Sequence, residues 1–261
     1  MPSRYVALIT GASAGIGKVF AQRLAALGYD LILVARDAVR LQAFADELSL
    51  QFGTEVEALP ADLSRDEGMR RVAERITQTA NLAFLVNNAG FGTKGKLVNR
   101  PIAEQATMLE LHVVAPMLLT RTALPGMIER GAGTIINVAS VASFVYSAGN
   151  VNYCATKAYL RVFSEGLAME LRDTGVHVQA LCPGFTHTEF HDRAAVDKSS
   201  VPDWLWLDAG RVVDDSLAQA ARRGATVCIP GVRYKAIVLL VKYLPEWIKA
   251  GTRARYGKSR T

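Results

Sequence analysis

Tyr5-Val6-Ala7-Leu8-Ile9-Thr10-Gly11-Ala12-Ser13-Ala14-Gly15-Ile16-Gly17 decides the fold of this 261-residue chain. The first six residues form a short apolar, β-branched run that reads as a strand. Glycines at 11, 15 and 17 read as a tight turn, and the pattern through Gly28 reads as a helix. Where a strand turns directly into a helix, the free amides and the positive dipole end of the helix face the turn. Glycines there let a pyrophosphate approach the backbone. The spacing is G-x-x-x-G-x-G, not the commoner G-x-G-x-x-G, and the triplet alone is a weak signal.

Four later segments stand in the same relation to an apolar run. Ala61-Asp62-Leu63 ends the third predicted strand, Asn87-Asn88-Ala89-Gly90 the fourth, Asn137-Val138-Ala139-Ser140 the fifth, and Pro183-Gly184-Phe185-Thr186-His187-Thr188 the sixth. Ligands of an open parallel sheet bind at the carboxyl ends of its strands, so all five motifs fall on one rim. Tyr153 follows Ser140, and Lys157 follows Tyr153 by four residues. Residues four apart share a helix face, so the Lys157 ammonium can sit beside the Tyr153 phenol and favour its ionised form. A free tyrosine titrates near ~10, too high for acid–base work at neutral pH without such help. In isolation a Tyr-x-x-x-Lys pair is usually plain helix surface; the order of the other motifs gives this one its meaning.

The coarse pattern predicts strands at 5–10, 31–35, 55–59, 82–87, 134–138, 177–182 and 226–230. It predicts helices at 16–28, 37–52, 65–79, 101–130, 151–174 and 209–223. Strands alternating with helices imply an α/β fold: a Rossmann-type, doubly wound parallel sheet of about seven strands, with helices on both faces, in a single domain. A hydrophobic content of 50% is ample for its core, and no repeat or low-complexity linker interrupts it.

The net charge of +6 is unevenly placed: residues 233–261 hold eight Lys or Arg and one acid, leaving 22 bases and 23 acids elsewhere. The basic character therefore belongs to a partly apolar tail, residues 232–261, after a catalytic domain at 1–231. Tyr234–Leu244 could form a basic amphipathic helix touching an anionic membrane surface; the alternative is a solvated tail, or an apolar stripe packed on the domain. The longest apolar run there, Ala236–Val241, is too short to span a bilayer. No nucleic-acid module is recognisable. Cys154, Cys182 and Cys228 form no C-x-x-C pattern and read as buried packing residues, which, with no charged-then-apolar leader, fits a cytoplasmic protein. His112, His177, His187 and His191 share no carboxylate pattern, so no metal site is expected.

Taken together, the glycine turn, Asn88-Ala89-Gly90, Ser140, Tyr153-x-x-x-Lys157 and Pro183-Gly184 closely resemble the short-chain dehydrogenase/reductase family, over about residues 4–231. The resemblance implies interconversion of carbonyl and alcohol with a nicotinamide cofactor. Tyr153 would donate a proton to the carbonyl oxygen, Ser140 would hydrogen-bond that oxygen, and Lys157 would lower the tyrosine pKa and hold the nicotinamide ribose. The cofactor would lie against Gly11, Ser13, Gly15, Ile16 and Gly17. Asp62 and Leu63 would sit beside the adenine, and Asn88, Ala89 and Gly90 beside its ribose. Thr188 and the Pro183-Gly184 turn would hold the carboxamide, and Phe185 and Thr186 would also bind the cofactor. The two long helices would pair across a two-fold axis, giving a homodimer or homotetramer. An insertion at about 187–210 would form a substrate lid.

The second strand ends Leu33-Val34-Ala35-Arg36 without an acid. An acid would bind the ribose hydroxyls and disfavour a 2′-phosphate, whereas an arginine accommodates one, so NADP(H) is preferred and NAD(H) not excluded. His112 stands where the family carries an active-site asparagine. Its imidazole could keep a place in a proton relay, or be a core residue. Phe144, Val145, Tyr146, Phe185, Phe190, Trp204, Leu205 and Trp206 suggest a lipophilic substrate, such as a 3-ketoacyl, steroid-like or aromatic carbonyl compound. The competing class is a non-catalytic NADP(H)-sensing or membrane-surface protein on the same fold; a sugar-nucleotide epimerase is disfavoured by chain length and turn spacing.

Overall fold

Continuous apolar runs mark strands covered on both faces. Seven form one parallel sheet in the order β3-β2-β1-β4-β5-β6-β7. The strands are β1 (Val6–Thr10), β2 (Asp30–Ala35), β3 (Val56–Pro60), β4 (Leu82–Asn87), β5 (Gly133–Val138), β6 (Val176–Leu181) and β7 (Val227–Cys228). The computed structural model describes residues 4–190 and 201–243. Strand alternation divides the core. Ala7, Ile9, Leu31 and Leu33 pack beneath α1 (Gly15–Ala26), α2 (Ala38–Phe52) and α7 (Ala209–Ala221). Leu8, Ile32 and Val34 face α3 (Asp66–Thr77), α5 (Ala115–Glu129) and α6 (Val151–Glu170). The strand order reverses between β1 and β4, which opens a crevice at their carboxyl ends.

Two elements differ from expectation. The single helix predicted over 101–130 is α4 (Ile102–Leu109), a π-helical turn at Glu110–Val114, and α5. Pro116 is the physical cause: it has no N–H for the His112 carbonyl one turn earlier, and its ring would crowd that carbonyl. The turn widens instead, and the Ala115 amide bonds back to Glu110. The Ile102–Glu129 stretch is the one among the described residues long and apolar enough to cross a membrane; its inner side packs on the sheet and α3. Strand β7 spans only Val227–Cys228, because Pro230 soon follows and cannot donate to a ladder.

Residues Val232–Tyr243 form α8, with Tyr234 and Val238 buried. The Tyr234 hydroxyl donates to the Leu205 carbonyl at 2.7 Å and accepts from the Phe185 amide at 2.9 Å. This stretch therefore packs against the segment that carries Phe185 and Leu205. Leu244 and the basic residues beyond it lie outside the described residues.

Candidate active site

Thr10, the last residue of β1, knots the rim together. Its hydroxyl donates to the Val86 carbonyl at 3.2 Å and accepts from the Asn88 and Ala89 amides at 2.9 and 3.0 Å. The Asn88 side-chain amide donates to the Thr10 carbonyl at 2.9 Å, tying the glycine turn to the end of β4. A Cβ at Gly11 would lie 2.8 Å from the Asn88 amide nitrogen, and one at Gly17 would strike both that nitrogen and the Gly11 carbonyl. Glycine at 11 and 17 is thus needed by the turn's own packing as well as by any ligand above it. Thr10 escaped the sequence reading because a threonine at a strand end carries no signal until its three partners are known.

One cleft of about 660 Å³ runs along this rim. It is lined by Gly11, Ser13, Gly15, Ile16, Arg36, Asp62, Leu63, Asn88, Ala89, Gly90, Ser140, Tyr153, Lys157, Pro183, Gly184, Phe185, Thr186 and Thr188. Of the residues expected to bind cofactor only Gly17 is absent, being buried beneath the turn. Arg36 is exposed at one end, close enough to Asp62 to act on it electrostatically. Burial pushes the Asp62 carboxyl up, but hydrogen bonds from the Ser64 hydroxyl and amide, with Arg36 and Arg65 nearby, bring it below its ordinary value.

Ser140, Tyr153 and Lys157 stand together toward the other end. The Ser140 hydroxyl accepts the Ala142 amide at 3.1 Å, capping a short 3₁₀ turn. Lys157 is buried, donates to the Val138 carbonyl at 2.8 Å, and lies 5.8 Å from the centre of the Tyr153 ring. Burial lowers the lysine to about 8, so its charged form still prevails at neutral pH. The expected lowering of Tyr153 by Lys157 is not found. Desolvation holds the phenol up to about 12, opposed by a hydrogen bond with Ser140, while the lysine is turned to the Val138 carbonyl.

His112 lies behind the cleft, not in it. It is fully buried on the π-helical turn, and its Nε2 accepts the Phe91 amide at 3.0 Å. The ring proton is therefore on Nδ1, 3.1 Å from the Thr156 hydroxyl, which itself donates to the Tyr153 carbonyl at 2.9 Å. Burial, with Lys157 nearby, lowers His112 well below its ordinary value. With one nitrogen accepting and the other donating, the neutral imidazole ties the loop after β4 to the first turn of α6. His112→Ala would leave the Phe91 amide and the Thr156 hydroxyl short of partners, each at about 1–3 kcal/mol. A loss of roughly 2–4 kcal/mol in denaturant unfolding is expected, with His112→Asn less damaging.

The apolar wall of the cleft is narrower than expected. Val145, Phe185, Phe190 and Leu205 line it, but Phe144, Tyr146, Trp204 and Trp206 do not. Phe144 stacks under Arg161, Tyr146 and Trp204 are about half exposed, and Trp206 packs on Phe185 and His187. The aromatic spacing in sequence gave no means of separating these fates. Lys94, which also lines the cleft, was not foreseen. At the root of the lid Glu189 forms a bidentate pair with Arg40 of α2. Residues 191–200 of the expected lid lie outside the described residues.

A seven-stranded parallel sheet whose rim joins a glycine turn to a Ser-Tyr-Lys group defines a nucleotide-binding α/β oxidoreductase. The short chain dehydrogenase family model matches residues 5–198, and the chain belongs to that family. It is similar to a short-chain dehydrogenase from Sphingobium yanoikuyae solved in complex with NADPH, at 36% identity and TM-score 0.83, covering 98% of this chain and 96% of that one. It is also similar to a bulky-bulky ketone specific alcohol dehydrogenase from Comamonas testosteroni, at 30% identity and TM-score 0.79, covering 98% and 94%. A 3-oxoacyl-(acyl-carrier-protein) reductase from Aquifex aeolicus is 34% identical over 186 residues, 70% of this chain and 75% of that protein. The chain is thus an oxidoreductase acting on alcohol and carbonyl groups, which displaces the non-catalytic alternative.

Proposed function

We propose that the protein is an NADP(H)-dependent oxidoreductase that interconverts a lipophilic ketone or aldehyde and its alcohol. The observation that carries this reading is the single cleft with Arg36 at one end and Ser140, Tyr153 and Lys157 toward the other. The cofactor fits the residues present: Gly11 and Gly15 of the turn line the cleft, and Arg36 is a cation at the site expected for a 2′-phosphate. When bound, the nicotinamide supplies or accepts the hydride. Tyr153, protonated at neutral pH, donates the proton to the carbonyl oxygen, and Ser140 holds that oxygen by a hydrogen bond. Lys157 supplies a buried positive charge beside the phenol and holds the nicotinamide ribose.

The relatives support this direction: one was solved with NADPH, one is named for bulky ketones and one for 3-oxoacyl groups. The apolar wall of Val145, Phe185, Phe190 and Leu205 supports a lipophilic body over a sugar. A homodimer or homotetramer is part of the reading, supported by exposed Leu109, Met117 and Ile128 on α4 and α5, and Val162 and Met169 on α6. For the C-terminal segment, packing on the domain is favoured over membrane contact because Tyr234 and Val238 point inward. The test is NADPH oxidation across a panel of 3-oxoacyl, steroid and aromatic ketones, with NADH in parallel. Turnover of at least one class with NADPH over NADH is expected; no turnover with any would refute the proposal.

A further inference from the structure

We infer that Lys94 reads an anionic group on the substrate, so that the carbonyl compound taken by this cleft is amphipathic: an apolar body with a carboxylate or phosphate at one end. This rests on the carbonyl-reductase reading above and specifies its substrate class. Lys94 is half-buried and lines the cleft. Every other ionised group lining it is accounted for. Lys157 is held by the Val138 carbonyl, Asp62 by Ser64 and Arg65, and Glu189 by Arg40. Arg36 stands at the far end, beside Asp62, where the adenosine phosphate is expected. Among the described ionised residues that line the cleft, Lys94 alone has neither a partner nor a place in the cofactor site. An ammonium lining the cleft without a counter-charge can pair with an anion that enters it, in a charge-assisted hydrogen bond.

The lysine sits at the substrate end. Its loop is anchored on one side by the Phe91 amide on His112. On the other, the Gly95 amide donates to the Gly149 carbonyl at 3.0 Å. Gly149 and Asn150 directly precede the helix that carries Tyr153. Lys94 thereby lines the same cleft as Ser140 and Tyr153, with Val145, Ser147, Val201 and Leu205 also on its wall. A ligand with its ketone at Tyr153 and its chain on this wall would bring a terminal anion within the reach of a four-carbon stem.

The anion could be a carboxylate of the substrate itself or a phosphate on a thioester carrier, and two comparisons distinguish them. A medium-chain 3-oxo acid is compared with its carboxamide, and a 3-oxoacyl phosphopantetheine thioester with the same thioester lacking phosphate. In each pair kcat/KM is measured for the parent, Lys94→Met and Lys94→Arg, and binding is measured by calorimetry without turnover. The parent is expected to prefer the anion in at least one pair by about fivefold to tenfold, a preference weakening with salt. Lys94→Met should abolish it and Lys94→Arg largely restore it. No anion preference in either pair, or an equal preference in Lys94→Met, would overturn the inference. If nothing is reduced but the parent still binds one anion more tightly and Lys94→Met does not, the catalytic reading falls and the anion site stands.

Discussion

Tyr153→Phe is expected to lower kcat for carbonyl reduction by about 10²- to 10⁴-fold, the range for losing a positioned general acid. NADPH affinity should be nearly unchanged, because only a hydroxyl is removed and the ring still packs beside His112 and Phe190. Stopped-flow turnover with calorimetric cofactor binding separates the two quantities. A mutant that turns over comparably to the parent would remove Tyr153 from the chemistry. The parent's pH profile follows from the same group. Reduction uses the protonated phenol, which burial holds up to about 12, so its rate should stay level through the neutral range and decline only on the alkaline side. Oxidation of the alcohol needs the phenolate and should rise with pH. Lys157, lowered to about 8, loses its charge within that alkaline limb, whereas His112, lowered by burial, stays neutral through it.

Arg36→Ala is expected to weaken NADPH by about tenfold to a hundredfold, since a charge-assisted hydrogen bond contributes about 1.5–3 kcal/mol and each 1.4 kcal/mol is a decade. Arg36 is exposed, which places the effect toward the lower end. NADH, which lacks the 2′-phosphate, should bind with little change. Dissociation constants for both cofactors check this; equal losses would show that Arg36 does not read the phosphate. Loss of the arginine also removes a positive charge that helps keep Asp62 ionised, so a modest effect near the adenine is expected for both cofactors.

The rim was legible in the sequence because each motif sits at the end of an apolar run, and a parallel sheet brings all such ends to one side. The Tyr153–Lys157 pair was legible for a similar reason, spacing on one helix face. Its electrostatics were not. Proximity along a helix argues for a lowered phenol, but the cleft desolvates the phenol and offers the lysine the Val138 carbonyl. His112 shows the same limit. Its position matched a family asparagine, yet its role depends on Phe91, 21 residues before it, and Thr156, 44 after it.

Local pattern therefore determined what is local or periodic: the strands and helices, the glycine turn, the shared rim, and which residues stand at strand ends. Tertiary structure decided what depends on partners distant in the chain. It opened the π-helical turn around Pro116, engaged both nitrogens of His112, and drew Tyr234 onto Phe185 and Leu205. It also left Lys94 at the substrate end of the cleft without a counter-charge among the described residues. The physical reason is that hydrogen-bond satisfaction and desolvation are set by three-dimensional surroundings, and a sequence specifies those only through the completed fold.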